Sequence, residues 1–175
     1  MNYHHDMKML QSLRQSFVVM VLTFATFNAA AQYLTATAVM PVRMEIVTSC
    51  VVSVADLNFG AYASNSTTAV LGQTTIQLQC GLGASAEIAL DAGTSPGGNT
   101  SRRKLMQESG SDRLDYGLYQ DAGRTLHWGD RSGIDTMEVL TTGVAQTVPI
   151  YGAIPNRQKA RGGTYSDTIT VNVYY

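Results

Sequence analysis

The chain has 175 residues, with 12 Lys and Arg against 13 Asp and Glu and a formal charge of −1. That length suits one domain, or one domain with an appendage. Charged residues make up only 14%, which excludes a basic nucleic-acid binder, a disordered acidic tail and a long coiled coil.

The first 31 residues read as an export signal. Lys8 and Arg14 outweigh Asp6, so Met1 to Gln15 is mildly positive. Ser16 to Phe27 is almost continuously apolar, and Ala29 and Ala31 follow at the spacing a signal peptidase reads. Positive, apolar, small is the order of a secretory signal. A membrane anchor is the rival, but the uncharged run is shorter than the about 20 apolar residues a spanning helix needs. Cleavage after Ala31 removes 31 of the 175 residues and leaves 144, with 10 Lys and Arg against 12 Asp and Glu. No later segment is apolar enough to span a membrane as a helix, so none is expected after cleavage.

Directly behind the cut, Leu34, Ala36, Ala38, Met40, Val42, Met44 and Ile46 fall on one parity. Thr35, Thr37, Arg43 and Glu45 fall on the other, with Val39 and Pro41 between them. Chain termini are usually polar and frayed, and strands average about five or six residues, so this long alternation is unusual. Pattern alone leaves two readings open. It is the first strand of the chain's own sheet, or a segment meant for another subunit's sheet edge.

Cys50 and Cys80 are the only cysteines. An exported chain with an even count implies one disulfide between them. Closing a loop of about 30 residues stabilises by roughly 3–4 kcal/mol in the chain-entropy model. A metal site lacks partners, because His127 is the only imidazole beyond the signal, and zinc wants three or four clustered ligands.

The rest reads as short strands separated by Gly, Asn, Asp and Ser. Cys50-Val51-Val52 is the first. Thr74, Ile76, Leu78 and Cys80 alternate with Thr75, Gln77 and Gln79. Glu87–Asp91 is another piece, and Thr94 to Arg113 is mostly polar and reads as a long loop, with Arg102-Arg103-Lys104 as a solvated charge run. Leu114, Tyr116 and Leu118 alternate with Asp115, Gly117 and Tyr119, before a turn at Asp121-Ala122-Gly123. Val148–Ile154 follows, with Pro149 pointing to an edge position because it lacks a ladder donor. At the end, Tyr165, Asp167, Ile169, Val171, Val173 and Tyr175 share one face of a long half-buried strand that stops at the last residue. Such a strand leaves no sequence to cover its neighbouring edge. The pattern predicts an all-β antiparallel sandwich.

No catalytic constellation is legible. His127 lies near Asp130 without a nucleophile elbow, and beside Trp128 it reads as a loop or packing residue. Asp112 and Asp115 read as surface acids rather than a glycosidase pair. The expectation is no enzyme, no cofactor and no metal. Asn65-Ser66-Thr67 and Asn99-Thr100-Ser101 match the glycosylation acceptor pattern, and read otherwise as polar loops.

Several pieces in order resemble the spore coat protein U domain family, the fold of pilins of the archaic chaperone–usher pathway. They include Cys50-Val51-Val52, Leu57-Asn58-Phe59-Gly60-Ala61-Tyr62, Ile76–Cys80, Leu90–Gly93, Leu114–Tyr119, Trp128-Gly129-Asp130, Val148–Ile154 and Tyr165–Val171. The resemblance implies an incomplete immunoglobulin-like sandwich, residues 45–175, lacking its last strand. Residues 32–44 would be a donor strand for the next subunit, anchored by Leu34, Ala36, Ala38, Met40, Val42 and Met44, the two alanines contributing less. The acceptor strand would be Tyr165 to Tyr175. The implied partners are other pilin subunits joined head to tail, a periplasmic chaperone and an outer-membrane usher. The implied location is the periplasm in transit, then a surface pilus serving adhesion or biofilm formation. The 144 residues leave no room for an additional adhesin domain, so a shaft or minor subunit is expected. Two other readings remain, a spore-coat or surface-layer protein and a self-contained secreted binding module.

Overall fold

The computed structural model describes residues 36–175. The export signal and Leu34 lie outside the described residues. Residues 36–49 carry no strand, and Val39, Met40, Val42, Met44 and Ile46 are all exposed.

Nine strands follow, in an all-β, antiparallel, immunoglobulin-like arrangement of two sheets. They are β1 (Cys50–Val54), β2 (Val70–Cys80), β3 (Ser85–Leu90), β4 (Arg103–Gln107), β5 (Arg113–Tyr119), β6 (Met137–Leu140), β7 (Gln146–Ile154), β8 (Tyr165–Ser166) and β9 (Val171–Tyr174). One sheet has the order β1-β2-β7-β5-β4-β8, the other β6-β3-β9, and every pair is antiparallel. No helix among the described residues is long and apolar enough to cross a membrane.

Period-two patterning builds the core. Ile76, Leu78 and Cys80 of β2 face inward with Ile88 and Leu90 of β3, Tyr116 and Leu118 of β5, and Val148, Ile150 and Ile154 of β7. Trp128 is fully buried among them and donates its indole N–H to Ile88 O at 2.9 Å. A buried Trp needs such a partner for its one polar atom. The disulfide joins Cys50 to Cys80, which are directly paired across β1 and β2.

Three features differ from the sequence reading. The segment Thr94 to Arg113 is not all loop, because it contains β4. Within it, Arg103 is not solvated but fully buried. Its guanidinium donates to four backbone carbonyls, Asp91 O at 2.7 Å, Thr100 O and Leu90 O at 2.8 Å, and Trp128 O at 2.9 Å. Burial pulls its pKa below the ordinary guanidinium value, opposed by Tyr116, Asp91, Asp130 and Asp167 nearby.

Pro149 sits in a central strand rather than at an edge. The β5 ladder on β7 stops at Tyr151, so Pro149 is locally unpaired on that side. Its partner on β2 is Thr75, whose carbonyl accepts from Ala55 N on the β1 side. Thr75 and Pro149 are therefore a non-hydrogen-bonded pair, and the missing donor points to the vacant side.

The C-terminal stretch is not one strand. Tyr165–Ser166 pairs with β4 in the larger sheet, and Val171–Tyr174 pairs with β3 in the smaller one. Residues 167–170 cross between the sheets. Asp167 fixes the crossing, since its Oδ1 accepts from Thr94 N at 3.0 Å and Ser95 N at 2.9 Å, and its Oδ2 accepts from Tyr116 OH at 2.7 Å.

Candidate functional site

The alternation of the C-terminal stretch determines which backbone groups are left open. Thr168 O and Thr170 O accept from Thr94 N and Asp91 N, so even-numbered residues turn toward the β3 side. Leu90 sends its N–H to Gly129 O and its carbonyl to Arg103, so Leu90 and Val171 form a non-hydrogen-bonded pair. Ile169, Val171 and Val173 therefore turn their N–H and C=O groups away from β3, toward an edge where no strand pairs among the described residues. Their side chains are half-buried and pack on the core. β1 is also an edge strand, and Val51, Val52 and Val54 are exposed on it.

Between these two edges runs a groove. At one end a cavity of about 350 Å³ is lined by Val54, Thr74, Leu118, Ile150, Ile169 and Val171. Next to it a cavity of about 790 Å³ is lined by Tyr62, Leu114, Ile154, Gly163 and Tyr165 among others. The two cavities share Asp56, Leu57, Phe59, Leu105 and Asp167 in their walls.

The groove's wall depends on two glycines. Gly72 of β2 and Gly152 of β7 lie opposite each other. A Cβ on Gly72 would come within 2.9 Å of Leu57, and one on Gly152 within 2.7 Å of Phe59. Without side chains there, the 57–59 segment lies flat on the sheet. Phe59 then reaches Tyr116 edge-on, ring centroids 6.0 Å apart. Tyr62 lines the larger cavity, donating to Pro155 O at 3.1 Å and accepting from Gln158 N at 2.8 Å.

Of the residues singled out from sequence, the structure brings Asp167, Ile169 and Val171 to the smaller cavity, with Tyr165 and Asp167 at the larger one. Val173 packs against the core beside them, while Tyr175 is exposed. Ala36, Ala38, Met40, Val42 and Met44 are exposed. The opposite wall, Leu57 and Phe59, and the floor at Leu105 and Leu114 were not singled out as site residues. The Gly72 and Gly152 register was the missing signal, and it appears only once β2 and β7 are paired.

Tyr116, hydrogen-bonded to Asp167, gives the groove a titratable group. Burial, then the hydrogen bond to Asp167 and its charge, push the Tyr116 phenol above its ordinary value. The neutral phenol is favoured in the fold. Its contribution is present below the unfolded value near 10 and is lost as pH rises beyond it. Tyr116→Phe is expected to lower neutral-pH stability by about 1–2 kcal/mol and to flatten the decline between about pH 9 and 11. Urea midpoints across that range check this.

A family model described as the Spore Coat Protein U domain matches residues 36–172. Protein U of Myxococcus xanthus is 34% identical over 128 residues, covering 68% of this chain and 71% of that protein. Among solved structures, the fold is similar to the CsuC-CsuE chaperone–tip adhesion subunit pre-assembly complex from archaic chaperone-usher Csu pili of Acinetobacter baumannii, with a TM-score of 0.54 and 23% identity. That match covers 74% of this chain but only 40% of the solved chain. The E. coli Hda pilus minor tip subunit HdaB gives a TM-score of 0.42 at 14% identity, covering 70% of this chain and 79% of that one. By the extent of the domain match and the identity to Protein U, this chain belongs to the Spore Coat Protein U domain family.

Proposed function

We propose that the chain is a non-enzymatic structural subunit of a surface pilus, a shaft or minor subunit supporting adhesion or biofilm formation. In this reading residues 1–31 direct export and are removed, residues 32–44 are a donor strand, and residues 45–175 are the acceptor domain. A periplasmic chaperone covers the groove in transit, and an outer-membrane usher presents it to the next subunit. The observation that carries the reading is the groove itself. One edge offers backbone of Ile169, Val171 and Val173 that no strand among the described residues pairs, above apolar side chains, in a chain that also carries an exposed alternating apolar segment. An open edge of that kind is an aggregation hazard unless another strand covers it. A donated strand supplies ladder hydrogen bonds, and its alternate side chains fill the groove. Each subunit has one groove and one donor, so contacts are head-to-tail and do not close, which yields filaments. The chaperone-bound Csu subunit of similar fold supports the chaperone and pilin partners.

The family's description and the Myxococcus relative favour a second reading, a coat or surface-layer protein assembled by the same exchange. A third, a self-contained secreted module, predicts a stable monomer.

The test compares unboiled and boiled samples of the exported protein on a denaturing gel, with chaperone and usher present, beside a variant lacking residues 32–44. The expected result is a ladder that collapses on boiling and is absent from the truncation. A monomer in every lane, with the truncation destabilised, would overturn both assembled readings in favour of the self-contained module.

A further inference from the structure

Four methionines follow the proposed export signal, Met40, Met44, Met106 and Met137. Their surroundings divide them into two pairs. Met40 and Met44 are each 82% exposed. Met137 packs against the core from β6. Met106 is half-buried in β4, with β5 paired on one side and β8 on the other.

The chain's other readily oxidised side chains are closed off. Both cysteines are joined in the Cys50–Cys80 disulfide, so no thiol competes. The one tryptophan, Trp128, is fully buried. Susceptibility to oxidation follows exposure. The thioethers of Met40 and Met44 are therefore the sulfur groups that a peroxide meets first.

The reaction needs no catalytic group. A lone pair on the thioether sulfur attacks one oxygen of hydrogen peroxide, so an S–O bond forms and the O–O bond breaks. The sulfur gives up two electrons and the peroxide is reduced. The departing hydroxide takes the proton from the transferred oxygen and leaves as water. A flexible apolar side chain becomes a polar, chiral sulfoxide.

That change falls where apolar character matters. Met40 and Met44 share their parity with Val42, so in an extended strand all three point to one face. A sulfoxide oxygen entering the groove would need a hydrogen-bond donor. The side chains of Leu57, Phe59, Leu105 and Ile169 offer none, and the Tyr116 hydroxyl is already given to Asp167. Burying a polar group without a partner is costly. A segment already inserted would be covered, and its sulfurs would be out of an oxidant's reach.

We infer that Met40 and Met44 form an oxidation site that gates assembly. A peroxide converts them to sulfoxides while the segment is free, the modified subunit fails to join, and joining shields the same two residues. This rests on the donor-strand reading above and adds to it a chemical condition on the free segment.

The test uses the full exported chain held by its chaperone. The complex is treated with hydrogen peroxide, desalted and supplied with usher. Peptide mass spectrometry is expected to find one added oxygen on Met40 and on Met44 before Met106 and Met137. The boil-sensitive ladder is expected to fall at least tenfold. Methionine sulfoxide reductases acting on both sulfoxide epimers are expected to restore it. A Met40→Leu, Met44→Leu double variant is expected to lose less than twofold on the same treatment. It is compared with its own untreated sample, so any effect of leucine on joining cancels. A Met106→Leu, Met137→Leu double variant is expected to stay as sensitive as the parent, and a ladder formed before treatment is expected to persist. Four outcomes would overturn the inference and leave the donor-strand reading standing. They are oxidation of Met106 and Met137 first, a full ladder from subunits carrying both sulfoxides, equal loss in the Met40→Leu, Met44→Leu variant, or dissolution of the preformed ladder. No ladder from the untreated chain would overturn the donor-strand reading and this inference with it.

Discussion

Replacing Arg103 with methionine is expected to lower the stability of the domain by about 4 kcal/mol. The side chain is fully buried and carries its charge without a carboxylate in contact. Its partners are four carbonyls, from Leu90, Asp91, Thr100 and Trp128. Methionine has similar length and keeps most of the packing, but it orphans oxygens that face the interior. Each hydrogen bond to a charged donor contributes about 1.5–3 kcal/mol, and each oxygen left unpaired costs about 1–3. Those contributions overlap, which brings the sum down to the stated value. Lysine should recover less than half of the loss, because its ammonium is a point donor and cannot reach four carbonyls set in a fan. Denaturant midpoints of the three proteins check the order.

Arg103 also shows where reading the sequence stops. In the chain it stands between Arg102 and Lys104, and three adjacent charges read as a solvated loop. The reason it is buried lies at residues 90, 91, 100 and 128, which no local window connects. β4 was overlooked for the same cause. Its five residues, Arg103–Gln107, carry three polar side chains, so the period-two signal is weak. By contrast, β2, β5 and β7 were legible because Ile76, Leu78, Tyr116, Leu118, Val148 and Ile150 must all face one core. Burial imposes a period of two, and that period survives in the sequence.

The C-terminal stretch was legible in parity but not in continuity. Tyr165, Asp167, Ile169, Val171 and Val173 are each half-buried, with 166, 168 and 170 exposed between them. The alternation therefore runs through the crossing, although no ladder does. The inward-facing Asp167 was the sign of the break. A carboxylate on a core face needs donors, and it finds them on Thr94, Ser95 and Tyr116 rather than in a neighbouring strand. That anchoring has a consequence for the groove. By tying the crossing to the 94–95 loop and to β5, Asp167 holds Ile169 and Val171 over the core while their outer backbone edge stays unpaired. An unpaired edge above apolar side chains would ordinarily collapse or pair indiscriminately. Here the edge is kept in register by bonds on its other side, which is the state the proposed strand donation requires.

The segment that would fill the groove gives the second large effect. Met40→Asp combined with Val42→Asp is expected to abolish the boil-sensitive ladder, with assembled material falling at least a hundredfold. Burying a large apolar side chain contributes about 1.5–3 kcal/mol. Two such anchors are lost, and two carboxylates must then enter a cleft already lined by those of Asp56 and Asp167, the second of which has its donors on Thr94, Ser95 and Tyr116. Burying an unpaired charge is disfavoured by more than the lost transfer energy, and the added negative charges would also face Asp167. A factor of a hundred corresponds to about 2.7 kcal/mol, so the expected penalty exceeds what is needed. Both residues are exposed in the free chain, 82% for Met40 and 83% for Val42. The yield of exported subunit held by its chaperone should therefore be unchanged, since in the proposed pathway the chaperone occupies the groove and the segment is free. Loss of the ladder with the chaperone complex intact would place the defect at subunit joining. Loss of both would mean that these side chains support the fold of their own domain, and a ladder of normal length would mean that Met40 and Val42 are not its anchors.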